Sequence, residues 1–164
     1  MRTVLCGLVA VALVAAGWCG WGWWAASGDP DLRQAVERDA ALAAGQRAVV
    51  ELNTLDHREV EAGLARWREV ATGTLLEELA QNREQHARDI KTARTATTAK
   101  LLSAALTTVD GHAGAARLIA AVEVTVARDG AQPSTQRSRL SAELTRTAAG
   151  WRVGRLQTMG VGGP

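Results

Sequence analysis

The stretch Leu118-Ile119-Ala120-Ala121-Val122-Glu123-Val124-Thr125-Val126-Ala127 decides the fold. Leu118, Ala120, Val122, Val124 and Val126 take one parity; Ile119, Ala121, Glu123, Thr125 and Ala127 take the other. Period two with β-branched residues and a charge on one side predicts a strand with one buried face. Downstream, Asp129-Gly130 through Gln136 predicts a hairpin loop. Leu140, Ala142 and Leu144 then alternate with Ser141, Glu143 and Thr145. Gly150 turns the chain into a last strand carrying Trp151, Val153 and Leu156. The parity slips between Val153 and Leu156, which predicts a bulge near Gly154. Upstream, Lys100 to Val109 predicts a further strand, closed by Asp110-Gly111.

Everything before Thr95 has another period. Asp29 and Pro30 suit a helix start. Leu32, Val36, Ala40, Ala43 and Val50 follow at near-helical spacing up to about Asn53. Gly45 interrupts this helix at a cost of about 1 kcal/mol relative to Ala. Leu55-Asp56-His57 is a joint. Val60, Leu64, Trp67 and Ala71 mark a second helix, with Gly73 as its left-handed cap. A third helix runs from Thr74 to about Ala93 through Leu75, Leu76, Leu79 and Ile90. Helices first and about four antiparallel strands after predict an α+β domain with three helices on one face of a curved sheet.

The 164 residues contain neither Phe nor Tyr, so Leu, Val, Ile and Ala must fill the core. Of the six Trp, only Trp67 and Trp151 fall in the domain, and both are expected in its core. The formal charge of +2 comes from interspersed signs, which excludes a phosphate-tracking stripe and argues against nucleic acid.

Val4 to Ala26 carries no charge. At ~1.5 Å per residue this helix would reach roughly 34 Å, beyond a hydrocarbon core of about 30 Å. Trp18, Trp21, Trp23 and Trp24 form half an aromatic belt at its end. Arg2 before it, against Asp29 and Asp31 after it, places the N-terminus in the cytoplasm. The expectation is an anchor over 1–28, an extracytoplasmic domain over 29–158 and a disordered tail over 159–164. A cleavable signal peptide ending at Ala25-Ala26-Ser27 competes. The anchor is favoured because the run is longer than a signal core needs and Trp crowds the cleavage site. Trp18 stands where a lipidated Cys19 would want a small residue, so Cys6 and Cys19 read as apolar filler.

No chemistry-bearing motif emerges. His57, His86 and His112 lack metal-ligand spacing and read as exposed polar residues. Glu123, Glu143, Arg117 and Arg146 are the candidates for a buried acid–base pair. Their strand parity predicts instead a solvated face or cross-strand ion pairs. Glu77-Glu78 and Asn82 to Arg88 read as a solvated helix face. The expectation is no enzyme, no catalytic or metal-binding residue and no cofactor.

The run from Ala40 to Asp56 resembles the first helix and joint of actinobacterial Mce-associated membrane proteins. So do Ala71-Thr72-Gly73 with the helix after it, and Arg139 to Arg146 followed by Gly150-Trp151-Arg152-Val153 and Leu156. His57 departs from that pattern, where an aromatic residue is usual. The resemblance implies a cystatin-like, nuclear transport factor 2-like cone. It also implies an accessory or scaffold role beside Mce lipid importers in the cell envelope. Implied partners are the membrane and Mce transporter subunits or other envelope proteins; a homo-oligomer is compatible with it. Type IV secretion systems contain a bitopic inner-membrane scaffold of similar plan. The alternative is a small apolar-ligand binder or, less favoured, an enzyme using the cone interior.

Overall fold

The computed structural model describes residues 30–160. The expected anchor and the tail residues 161–164 lie outside the described residues. Among the described residues, no helix is long and apolar enough to cross a membrane. The chain divides into two compact units, Met1–Glu37 and Arg38–Pro164. The described part of the first unit opens helix α1 (Pro30–Leu52) and exposes Leu32 and Val36. The second unit carries the domain.

After α1 come β1 (Leu55–Asp56), α2 (Val60–Val70), α3 (Gly73–Gln81) and α4 (Arg83–Ala93). Four long strands follow: β2 (Thr95–Asp110), β3 (Ala115–Arg128), β4 (Ser134–Thr147) and β5 (Gly150–Met159). The sheet is antiparallel in the order β1-β2-β3-β4-β5, so the α+β reading holds. The joint after α1 contributes a fifth strand, because Leu55 and Asp56 pair with Thr97 and Ala96. Strand β3 buries Ala116, Leu118, Ala120, Val122 and Val124, the parity read from the sequence. Gly154 has no partner between Arg155, opposite Glu143, and Val153, opposite Leu144, so the expected bulge is present.

Helix α1 presents a different face from the one its apolar spacing suggests. Ala41, Gly45, Ala48 and Val49 are buried, whereas Ala40 and Ala43 are exposed. In so Ala-rich a helix, apolar spacing does not distinguish which small residues face the sheet. Close approach does: a Cβ on Gly45 would lie 2.9 Å from Leu118 Cδ1 and 3.2 Å from Leu144 Cδ2.

The last carbonyls of α1 are capped by side chains. Asn53 Nδ2 donates to Val49 O at 2.7 Å and Thr54 Oγ1 to Val50 O at 2.9 Å. Trp67 Nε1 donates to Glu51 O at 2.7 Å and to Thr54 O at 3.2 Å, tying α2 to this end. Trp67 is half-buried beside a second apolar cluster of Val60, Leu64 and Ala87. Trp151 belongs to the main core.

Two helix boundaries differ from expectation. Gly73 has φ of 53° but opens α3; α2 ends at Val70, and Ala71 is extended. Ala71 bridges Val153 in parallel, and Thr72 N–H donates to Val153 O at 2.8 Å. Sheet pairing therefore claims the residues that would have formed the cap. The single helix expected over 74–93 is two helices, broken at Asn82. There φ and ψ are −98° and 9°, and the Asn82 side-chain amide donates to Glu78 O at 3.2 Å. Such side-chain competition with the helix ladder is typical of Asn.

Candidate functional site

The helices cover one face of the sheet; the other carries Glu123, Glu143 and Arg117 of the ionisable side chains singled out from the sequence. Glu123 lies opposite Arg137 in the β3–β4 register, and Arg137 Nε donates to its Oε2 at 3.0 Å. Glu143 lies opposite Arg117, whose guanidinium donates to its Oε1 at 2.9 Å. Thr125 and Thr135 share a hydroxyl hydrogen bond at 3.0 Å. Both ion pairs are partly or largely open to solvent, which matches the cross-strand reading. Arg146 turns to the β2–β3 loop and donates to Gly111 O at 3.1 Å.

The histidines do not converge. His112 lies exposed in the turn closed by Asp110, whose Oδ1 accepts from His112 N–H and Ala113 N–H, each at 2.9 Å. These backbone bonds, Ala113 foremost, hold the Asp110 carboxyl below its usual range. His86 is half-buried on α4, and its Nδ1 has no hydrogen-bond partner. His57 departs from the exposed reading: its side chain is only 13% exposed. It sits 3.3 Å from Asp56 Oδ1 and 3.6 Å from Asp129 Oδ2, and Arg58 also reaches Asp129 at 3.6 Å. This group joins the α1–α2 joint to the loop after β3.

A clamp between α2 and α4 leaves only a faint trace in the sequence. Glu61 accepts from Arg83 at 2.7 Å and lies 3.5 Å from Lys91 Nζ. The Arg83 hydrogen bond holds its carboxyl below the usual range. The sequence signal was faint, because the three residues lie on helices separated by α3. Of the run Asn82 to Arg88 expected to be solvated, Asn82 to Gln85 and Arg88 are exposed, Arg88 pairing with Glu84 and Gln85 with Asp89, whereas Ala87 is buried and His86 half-buried.

Open grooves mark the surface of the described residues. One of about 350 Å³ lies by Asp110, Arg117 and Glu143. One of about 250 Å³ runs between α3 and β5 past Leu75, Glu78 and Arg155. One of about 240 Å³ is lined by Leu52, Leu55, Trp67 and Ile90. None gathers a nucleophile, a base and an electrostatic stabiliser. Among the described residues no group of three His, Cys, Asp or Glu could hold a metal.

This arrangement of helices and sheet is found in solved structures. An IcmL-like type IV secretion system protein from Legionella pneumophila is 15% identical with a TM-score of 0.61, covering 77% of this chain and 95% of that one. The periplasmic domain of DotI is 14% identical with a TM-score of 0.59, covering 72% and 91%. CagV, a VirB8 homolog of the type IV secretion system of Helicobacter pylori, is 10% identical with a TM-score of 0.55, covering 76% and 99%. No protein-family model and no curated protein matches. At these identities the likeness is one of fold.

The resemblance to Mce-associated proteins is thereby overturned, and with it the lipid-import role and the Mce subunits as partners. The physical reason lies in what the quoted segments encode. Ala40 to Asp56 is a capped helix end running into β1, and Arg139 to Leu156 is a bulged hairpin. Any domain of this topology needs such pieces, so they carry fold and not partner. Among the described residues, the ionisable groups singled out from the sequence lie dispersed in surface pairs, and none of the grooves brings all of them together.

Proposed function

We infer that this chain is a membrane-anchored, extracytoplasmic assembly domain of a type IV secretion-like envelope complex, working by contact with other subunits. The observation that carries the reading is the fold, which spans 95% of the Legionella secretion-system protein. Two features of the chain support it. The uncharged Val4–Ala26 segment would confine the domain to a membrane surface and raise its effective concentration near membrane partners. The open sheet face offers exposed, cross-paired charges in place of a dry reaction site.

The test is affinity purification of the tagged full chain from native membranes after chemical cross-linking, with the partners identified by mass spectrometry. The expected result is co-purification of further subunits of a type IV secretion-like envelope complex. Recovery of the chain without such subunits, or its presence only in the soluble fraction, overturns the reading.

A further inference from the structure

Strand β2 carries the longest uncovered edge of the sheet. On its outer side β1 reaches only Ala96 and Thr97, and the Thr54 hydroxyl takes the Ala99 N–H at 3.2 Å. From Lys100 to Asp110 no strand among the described residues pairs with that side. Between those two charges the sequence Leu101 to Val109 is wholly uncharged. A long, unpaired, uncharged edge is a template for another strand unless something blocks it.

Two bulges interrupt this edge. Leu102 and Thr107 have no partner on β3; they fall between Leu101 and Ser103, and between Leu106 and Thr108. Bulges ordinarily discourage pairing, since a regular strand cannot match them. The exposed doublets at these bulges, Leu102-Ser103 and Thr107-Thr108, are placed symmetrically about Ala105. An antiparallel copy centred there sets Leu102-Ser103 against Thr107′-Thr108′, two residues against two, where the prime marks the second copy. Residues packed toward the core then face one another, Leu101 with Val109′ and Ala104 with Leu106′. Solvent-facing residues do the same, Ser103 with Thr107′ and Ala105 with Ala105′. The same register sets Lys100 against Asp110′ at both ends. Lys100 makes no ion pair within the described chain, and Asp110 uses only Oδ1 for its turn.

We propose that the β2 edge, Lys100–Asp110, is a self-recognition surface: a second copy of this chain pairs with it about a two-fold axis at Ala105 and joins the two sheets. The geometry limits the overlap at both ends. Beyond Asp110 each chain turns back into its own β3, and before Lys100 the edge is occupied by β1 and Thr54. The matched bulges make the surface selective, because a regular foreign strand would lose register at both of them.

The experiment is disulfide trapping in the full chain. Cys6 and Cys19, the only cysteines, are replaced by Ser, and Ala105→Cys is introduced. Residues directly opposite across an antiparallel pair have Cα atoms about 4.5–5.5 Å apart, within disulfide reach. Purified protein in detergent under mild oxidation should give a disulfide-linked dimer. Ala149→Cys, in the exposed β4–β5 turn, should not. Adding Lys100→Glu sets like charges against Asp110′ and should lower the Ala105 dimer yield several-fold; because Lys100 also lies opposite Glu123 on β3, a cooperative melt is used to confirm that the variant is folded. Added salt should lower it in the Ala105→Cys protein without that change, which guards against a misfolded variant. No Ala105 dimer, equal trapping at Ala149, or a dimer indifferent to both Lys100→Glu and salt overturns the proposal. Because no other subunit is present, this outcome is independent of the envelope-complex reading.

Discussion

Gly45 on α1 faces Leu118 on β3 so closely that a methyl group on the glycine would stand 2.9 Å from Leu118 Cδ1. The residue that weakens the helix by its own propensity is thus the one that lets the helix reach the sheet. Leu118 is fully buried and Leu144 nearly so, which leaves neither side chain room to withdraw. Gly45→Ala gains about 1 kcal/mol of helix propensity. Overpacking a filled core costs about 1–3 kcal/mol. The variant should therefore be less stable than the parent by urea denaturation, and Leu118→Val should relieve part of the loss in the double mutant. A Gly45→Ala protein more stable than the parent would disprove the close packing.

The two domain tryptophans should respond oppositely to loss of the indole N–H. Trp67 Nε1 bonds to Glu51 O and Thr54 O at the end of α1, whereas buried Trp151 Nε1 has no partner. Trp67→Phe leaves helix-end carbonyls short of a donor and should cost about 1–3 kcal/mol beyond any packing loss. Trp151→Phe removes an unsatisfied polar atom, which offsets its loss of contact area. Thermal melts of the two Phe variants should rank Trp67→Phe as clearly the more damaging; the reverse order would refute the hydrogen-bond assignment.

Legibility followed side-chain chemistry. Strand β3 could be read because branched apolar residues alternate with Glu123 and Thr125, and its cross-strand charge pairs followed from the same parity. Gly154 could be read because a bulge must break that parity. The face of α1 could not, since Ala40, Ala41, Ala43 and Ala48 are interchangeable in an apolar count while only some meet the sheet. The break at Asn82 depends on one local side-chain bond, and β1 is too short to show a period. The burial of His57 arises from Asp56 and Asp129, the latter far away in the chain. Partner identity was least legible, because the segments that suggested it are structural pieces.

The Glu61 clamp sets an acid-side dependence of stability. Its carboxyl is held below the ordinary value of 4.5, chiefly by the Arg83 hydrogen bond. A group with a depressed folded pKa contributes its full stabilisation above the unfolded value and loses it as pH falls through the folded one. Glu61→Gln should thus melt below the parent at neutral pH. The difference should close progressively as pH drops below 4.5, and it should shrink in high salt because the pair is exposed. A gap that stays constant through that acid range would show that the clamp is not ionic.

The open sheet face separates folding from assembly. The pairs Arg117–Glu143 and Arg137–Glu123 are solvated to differing degrees, and exposed pairs contribute about 0.2–1 kcal/mol each. Glu143→Gln and Glu123→Gln should each shift the unfolding midpoint only slightly, with Glu123 the larger because it is the less exposed member. Reversing both cations, Arg117→Glu with Arg137→Glu, adds like-charge repulsion on the strands, yet the buried parity of β3 beneath them is untouched. That variant should still fold, judged by circular dichroism and a cooperative melt. If subunits of an envelope complex dock on this face, it should also fail to co-purify them from membranes, since reversed rim charges slow encounter and suppress correct partners. Retention of every partner by the folded double variant would exclude this face as the docking surface and direct attention to the helical side.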